Sequence, residues 1–189
     1  MGVVPGFRAG AQSSEFYLSI DHLATPAAYD NLGAGLTAGQ TFLAQAASIA
    51  GIRVLIGVNG QEDRLVGPAD LVLYDASNLD LPVELARTTF LAPGVEISGL
   101  VDLFLESPVP ATLGQRYFIA VFAPDLFGMG IRSISSSTYP GGAEGFLVGG
   151  QVAEAISGRD VSFAVHSVNV VFEDGFESGE LAAWSSHQP

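Results

Sequence analysis

Hydrophobic and polar residues alternate with a period of two in several short segments of this chain. Val161, Phe163 and Val165 are hydrophobic and are separated by smaller or polar residues. The segment from Ile52 to Val58 repeats the alternation. Successive side chains of a strand point to opposite faces, so both segments predict a strand with one buried face. No segment sustains a period of about 3.6 residues, and the pattern therefore predicts an all-β fold.

Glycine and proline mark predicted turns between these segments, at Asn59-Gly60, Ser107-Pro108 and Pro140-Gly141-Gly142. The longest predicted irregular stretches are 133–144 and 24–39. The predicted strands are 15–20, 40–44, 51–58, 70–75, 88–91, 100–106, 116–123, 130–133, 145–148 and 161–171. Their number and spacing favour a two-sheet antiparallel β-sandwich.

The segment 116–123 is apolar at both odd and even positions. A strand of this kind is buried on both faces. We therefore expect it to run centrally in its sheet, with a loop or a partner covering its outer side.

The chain has 189 residues, of which 48% are hydrophobic, and this length suits one domain. We predict an N-terminal extension at 1–13, the sandwich at 14–172 and a C-terminal tail at 173–189. There is no cysteine, so disulfides and thiolate metal sites are excluded.

Acidic residues outnumber basic ones by 20 to 7, every basic residue is arginine, and the net charge is −13. Such a chain repels the phosphate backbone, so no nucleic-acid partner is expected. The absence of lysine excludes Schiff-base chemistry and pyridoxal phosphate attachment. No apolar run reaches about 18 residues, so no membrane-spanning helix is predicted.

Carboxylates are the candidate metal ligands, because calcium prefers oxygen donors. A predicted calcium site consists of Asp63, Asp70, Asp75 and Asp80, which cluster in one third of the chain. The alternative interpretation is a solvated acidic loop. A second candidate site joins Asp21 or Asp30, near the first strand, to Asp160 before the last strand.

Aromatic rings beside a polar group are the candidate ligand-binding residues, since tyrosine and tryptophan suit a wet surface. The set is Tyr29, Tyr74, Phe127, Arg132 and Tyr139. A purely structural role is the alternative for each. No catalytic residue is assigned, because no serine lies in a Gly-x-Ser-x-Gly elbow. The histidines are scattered, and we interpret His166 as an ordinary surface residue.

Six short segments carry a resemblance to a known family. They are AGQTFLA at 38–44, IAGIRVLI at 49–56, DLVLYD at 70–75, LGQRYFIAV at 113–121, STYPGG at 137–142 and RDVSFAV at 159–165. Together they resemble the "choice-of-anchor" modules of bacterial surface and secreted proteins, over roughly residues 31–167. The resemblance implies a jelly roll related in architecture to carbohydrate-binding modules, in a family with no agreed enzymatic role.

The segment 173–185, EDGFESGELAAWS, resembles the "DGFESG…W" C-terminal tail of secreted proteins from gamma-proteobacteria. In those proteins the tail follows the functional domain. The resemblance implies a secreted, extracellular or cell-surface location.

Three functional hypotheses follow. The first is a non-catalytic binding or adhesion module whose partner is a glycan or another cell-surface polymer. The second is a structural subunit that self-assembles into a surface layer or filament through strand edges or an apolar face. The third is a glycoside-active enzyme that uses a pair of carboxylates.

Overall fold

The computed structural model describes residues 15–23, 28–31, 37–58, 68–91, 99–122, 129–134, 139–154 and 159–169. These residues contain strands and turns and no helix. The strands are β1 (Phe16–His22), β2 (Ala28–Asn31), β3 (Thr37–Leu43), β4 (Ser48–Val58), β5 (Pro68–Asp75), β6 (Val83–Leu91), β7 (Gly99–Pro110), β8 (Arg116–Phe122), β9 (Met129–Ile134), β10 (Glu144–Val148), β11 (Gln151–Glu154), β12 (Asp160–Val161) and β13 (Phe163–Val168). In the same residues, no helix has the length and apolar character needed to cross a membrane.

The strands form two sheets. In the first sheet the order is β1-β13-β4-β9-β12, with β7 also paired to β4 and β2 to β9. In the second sheet the order is β11-β10-β3-β8-β5-β6. Every pairing is antiparallel. The predicted all-β, two-sheet antiparallel sandwich is therefore confirmed.

The main core lies between the two sheets. Phe42 of the second sheet and Phe163 of the first are fully buried, and their ring centroids lie 6.3 Å apart. Val161 and Val165 are each 1% exposed and belong to the same cluster. The inward face predicted from the alternation is thus confirmed, but the outer face of β13 is buried too, with Ala164 at 0% and His166 at 6% exposure. Burying each such side chain contributes roughly 1.5–3 kcal/mol.

A second, smaller core covers the outer face of the second sheet. Phe118, on the central strand β8, is fully buried and packs in a cluster with Tyr74 and Val152. The β10–β11 hairpin is fixed over it by a hydrogen bond of 2.8 Å from the Val152 N–H to the Leu79 carbonyl. The central position predicted for segment 116–123 is confirmed, and the chain's own hairpin and the turn after β5 supply the cover.

One predicted turn lies inside a strand instead. Ser107-Pro108 falls within β7, where the register shifts between the pairs Ile49–Val109 and Gly51–Phe104. β7 pairs with β4 alone in the described part of the sheet. Proline is tolerated there because an edge strand with an interrupted ladder does not need its N–H. The strand continues past the proline for this reason.

Other elements were missed because their sequences lack alternation. β2 and β11 were not predicted, and β6 begins at Val83 rather than at residue 88. A register shift lies between Leu73 and Tyr74 in the β5–β6 ladder. Such a bulge puts an extra residue into one strand, so a period of two is lost along that strand.

Candidate functional site

The outer face of the first sheet carries the candidate site. Arg53 of β4 lies directly opposite Asp102 of β7, and Gly51 lies opposite Phe104. On the other side of β4, Gly51 also lies opposite His166 of β13. Opposed residues of neighbouring strands share a face, so these residues project to the same side of the sheet. That side faces away from the core because the alternating residues Ile52 and Val54 are buried in it.

Gly51 allows β4 to lie close against the backbone of β7. A Cβ added there would meet the Leu103 carbonyl oxygen and would lie 2.9 Å from the Phe104 Cα. With no side chain in between, the rings of His166 and Phe104 meet above the glycine, with centroids 4.8 Å apart and planes tilted by 41°. Phe16 of β1 extends the group, since its ring centroid lies 5.1 Å from that of Phe104.

An ion pair lies beside the rings. Arg53 donates from Nε to Asp102 Oδ1 at 2.7 Å and from Nη2 to Oδ2 at 2.8 Å. This bidentate geometry is the stronger form of a charge-assisted hydrogen bond. The Arg53 guanidinium, with help from His166, holds the pKa of Asp102 below its usual value. Asp102 is consequently ionised at neutral pH.

His166 is bound to the same carboxylate, with 2.7 Å between its Nε2 and Asp102 Oδ1. An ionised carboxylate can only accept hydrogen bonds, so His166 Nε2 must carry the proton and donate it. The imidazole therefore lies between the Phe104 ring and the Asp102 carboxylate, and these two contacts fix its position. We call Phe16, Arg53, Asp102, Phe104 and His166 the outer-face site.

The outer-face site is open to solvent at its rings and at its ion pair. Phe16 is 52% exposed and Phe104 is 41% exposed. The side chains of Arg53 and Asp102 are 34% and 36% exposed. An exposed aromatic pair beside an exposed, oriented ion pair can contact an apolar surface and hydrogen-bonding groups of one ligand together.

The interpretation of His166 as an ordinary surface residue is wrong. The residue is 6% exposed. It does lie on the outer face of its strand, but the Phe104 ring and the Asp102 carboxylate cover it. The alternation identified its face correctly, whereas its cover comes from a strand two positions away in the sheet.

The predicted aromatic residues are distributed differently. Tyr74 is 6% exposed and packs on Phe118 with ring centroids 6.0 Å apart. Tyr139 is 8% exposed and meets Phe163 edge to face at 5.2 Å. Burial raises the pKa of both tyrosines. Neither ring is presented to solvent, so a role for either as a surface platform has no support here.

The remaining predicted ligand-binding residues lie elsewhere. Tyr29 and Arg132 are directly opposed in the β2–β9 ladder, which places them side by side. Phe127 lies outside the described residues. The predicted set is therefore not gathered into one described site.

The predicted calcium ligands have other partners. Asp70 accepts hydrogen bonds of 2.7 Å from Arg87 and from Thr89. Asp75 accepts one of 2.9 Å from the Ser77 N–H, which is the main cause of its lowered pKa. The two aspartates lie at opposite ends of β5, about 17 Å apart at the strand rise per residue.

Asp80 is exposed in the turn after β5, and Asp63 lies outside the described residues. Within the described ranges, no group of three histidine or carboxylate side chains is placed to hold a metal ion. Calcium binding stays a prediction, and melting curves with calcium and with a chelator at matched ionic strength check it.

The second candidate carboxylate site does not form from Asp21 and Asp160. Asp160 is 2% exposed, accepts from Gln40 Nε2 at 3.0 Å and accepts from the Tyr139 N–H at 2.8 Å. Asp21 lies opposite Ala164 on the outer face, where its charge acts on Arg53. The bulge between Leu18 and Ile20 sets this orientation. Asp160 thus links neighbouring segments from inside the sandwich. The side chain of Asp30 is not among the described side chains.

No family model matches the chain, and no curated protein matches it. The resemblances to the choice-of-anchor modules and to the secreted tail stay predictions that rest on the motifs quoted above.

Proposed function

We propose that the protein is a non-catalytic extracellular binding or adhesion module that binds a glycan on its outer-face site. The observation that carries the proposal is the pair of exposed rings, Phe16 and Phe104, beside the exposed Arg53–Asp102 ion pair. A sugar ring has an apolar C–H surface that packs on an aromatic ring. Its hydroxyl groups bond to a neighbouring donor and acceptor, which fix its orientation.

The strand order supports the jelly roll that the resemblance implies. The pairs β1–β13, β3–β8, β4–β7 and β5–β6 are nested, so that early strands pair with late strands in reverse order. The first and third pairs lie in one sheet and the other two in the second. Eight strands folded over in this way form the two-sheet jelly-roll arrangement.

The extracellular location is part of the proposal and is supported by the resemblance of segment 173–185 to a secreted tail. The acidic composition, with a net charge of −13, agrees with a partner other than nucleic acid or an anionic membrane surface.

A glycan array compares the unaltered protein with Phe104→Ala and Leu113→Ala. Leu113 is 66% exposed in the turn between β7 and β8, away from the outer-face site, and is the matched control. We expect the unaltered protein and Leu113→Ala to bind the same glycans, and Phe104→Ala to lose at least tenfold in affinity. Absence of glycan binding, or equal binding by Phe104→Ala, would reject the proposal.

A second candidate function is self-assembly through a strand edge. β6 pairs with β5 alone in the described part of the second sheet. It carries two exposed hydrophobic residues, Val83 at 59% and Leu85 at 41%. An exposed edge of this kind can add a strand from another copy. Sedimentation velocity over a range of concentrations tests it, with a species that grows with concentration and disappears in Val83→Lys as the supporting result.

A further inference from the structure

We propose that the outer-face site selects uncharged sugar rings with two neighbouring hydroxyl groups and discriminates against anionic sugars. This selectivity rests on the proposed glycan-binding function. The selectivity is inferred from the contacts of Arg53, whose positive charge is already balanced by the Asp102 carboxylate.

The Arg53 guanidinium is engaged by Asp102 through two hydrogen bonds. Asp21 adds a second negative charge close enough to raise the pKa of Arg53 further. In the described parts of β1, β4, β7 and β13, His166 is the other outer-face group that can become cationic, and it is bound to Asp102 as well. Among the described side chains of these four strands, the site therefore has no excess positive charge with which to attract an anion.

An anionic ligand would also have to compete with Asp102 for the arginine. Separating the pair would leave Asp102 with His166 as its partner and would place two negative charges near one cation. Like charges brought together at a binding surface cost affinity, which is the usual basis of discrimination against a wrong ligand. The overall charge of −13 acts in the same direction.

The ion pair suits a pair of hydroxyl groups. A guanidinium carries more N–H donors than the two that Arg53 uses on Asp102, and a carboxylate has further lone pairs. A donor and an acceptor are thus presented side by side at the surface. One hydroxyl can accept from Arg53 while its neighbour donates to Asp102. A carboxylate or sulfate group can only accept, so it satisfies Arg53 and repels Asp102.

The rings limit the ligand to a compact apolar surface. The ring planes of Phe16 and Phe104 are tilted by 53° to each other, so the two rings form a V-shaped surface rather than a flat one. Such an angle suits one sugar ring better than a long flat chain. The sugar ring would stack on Phe16 and Phe104, with its edge turned toward Arg53 and Asp102. These two residues form the next cross-strand pair on the same face of the sheet.

Isothermal titration with matched sugars tests the selectivity. The probes are the methyl glycosides of glucose and galactose and of their uronates, which replace the C6 hydroxymethyl group by a carboxylate. We expect the neutral members to bind at least tenfold more tightly than the uronates. Asp102→Asn should reduce this ratio toward one, because it removes the repelling charge and keeps the side-chain shape.

Asp70→Asn is the control, since it removes the same charge from the second sheet; it should leave the ratio unchanged. Asp102→Ser serves as a second variant if Asp102→Asn does not fold, as judged by circular dichroism. Binding of uronates that is as tight as that of neutral sugars, and is lost in Phe104→Ala, would overturn the selectivity alone. A ratio unaffected by either Asp102 variant would overturn it too. Binding of neither class would overturn the proposed function together with the selectivity.

Discussion

His166 donates a hydrogen bond of 2.7 Å to Asp102, although the strand β4 lies between the two strands that carry them. Neighbouring strands are about 4.8 Å apart, so β13 and β7 are separated by roughly 10 Å. The imidazole spans this gap because Gly51, the residue of β4 that lies between His166 and Phe104, has no side chain. A glycine in a central strand thus brings the outer-face site together.

Replacing this glycine should destabilise the protein and disrupt the site. In Gly51→Ala the new Cβ would press on the backbone of Leu103 and Phe104. Overpacking of this kind costs about 2–3 kcal/mol. Urea denaturation measures the loss in the free energy of unfolding. Gly114→Ala is the comparison: its Cβ meets nothing within 4 Å, and its φ of 76° predicts a cost of about 1 kcal/mol. A loss in Gly51→Ala no larger than in Gly114→Ala would contradict the role of close approach.

Removing the buried carboxylate of Asp160 should be costly. Asp160→Ala leaves the buried Tyr139 N–H without its acceptor and removes one of the two acceptors of Gln40 Nε2, which keeps the Thr41 carbonyl. Unsatisfied buried groups predict a loss of about 2–4 kcal/mol. The exposed Asp80 provides the control, with Asp80→Ala expected within about 0.5 kcal/mol of the unaltered protein. Similar chemical-denaturation midpoints for the two variants would show that Asp160 is not a structural clamp.

The second core should contribute substantially to the free energy of unfolding. Phe118 is fully buried beneath the β10–β11 hairpin, so Phe118→Ala should lower the free energy of unfolding by about 3–5 kcal/mol. Phe16→Ala is the matched truncation at a ring that is 52% exposed, and we expect it to cost less than about 1 kcal/mol. If both truncations have the same small effect in thermal and urea unfolding, the hairpin does not cover Phe118 in solution.

Acid should weaken the outer-face site. The pKa of Asp102 is lowered in the folded state by Arg53 and His166. A lowered folded pKa gives stability that is present above the unfolded value of about 3.9 and is lost as pH falls through the folded pKa. The contribution of the Asp102 charge, measured as the stability difference between the unaltered protein and Asp102→Asn, should therefore shrink as the pH falls below about 4.

The size of that difference should be small, because the Asp102 side chain is 36% exposed and solvent screens the pair. Asp80→Asn, at an exposed side chain, tests for a general effect of removing one charge. A difference that does not shrink below about pH 4, or that Asp80→Asn reproduces, would show that the Arg53–Asp102 pair is not its source.

Part of the site could be anticipated from local sequence. The alternation around Ile52 and Val54 places Gly51 and Arg53 on the outward face of their strand, and the same reasoning places His166 outward. The alternation does not give the register between strands, which decides which of these outward residues lie side by side. The aromatic residues chosen from the sequence alone, Tyr74 and Tyr139, are buried, since a tyrosine in a strand packs equally well in a core.

The all-β class and the inward residues of the main strands follow from local sequence, because the period of two is a local property of strand geometry. Which outward residues become neighbours depends on the folded arrangement of the strands. Asp102 lies 49 residues from Arg53 and 64 residues from His166 along the chain. Contacts over such separations depend on strand order, register and bulges. No local pattern encodes these, because they are set by the packing of the whole sandwich.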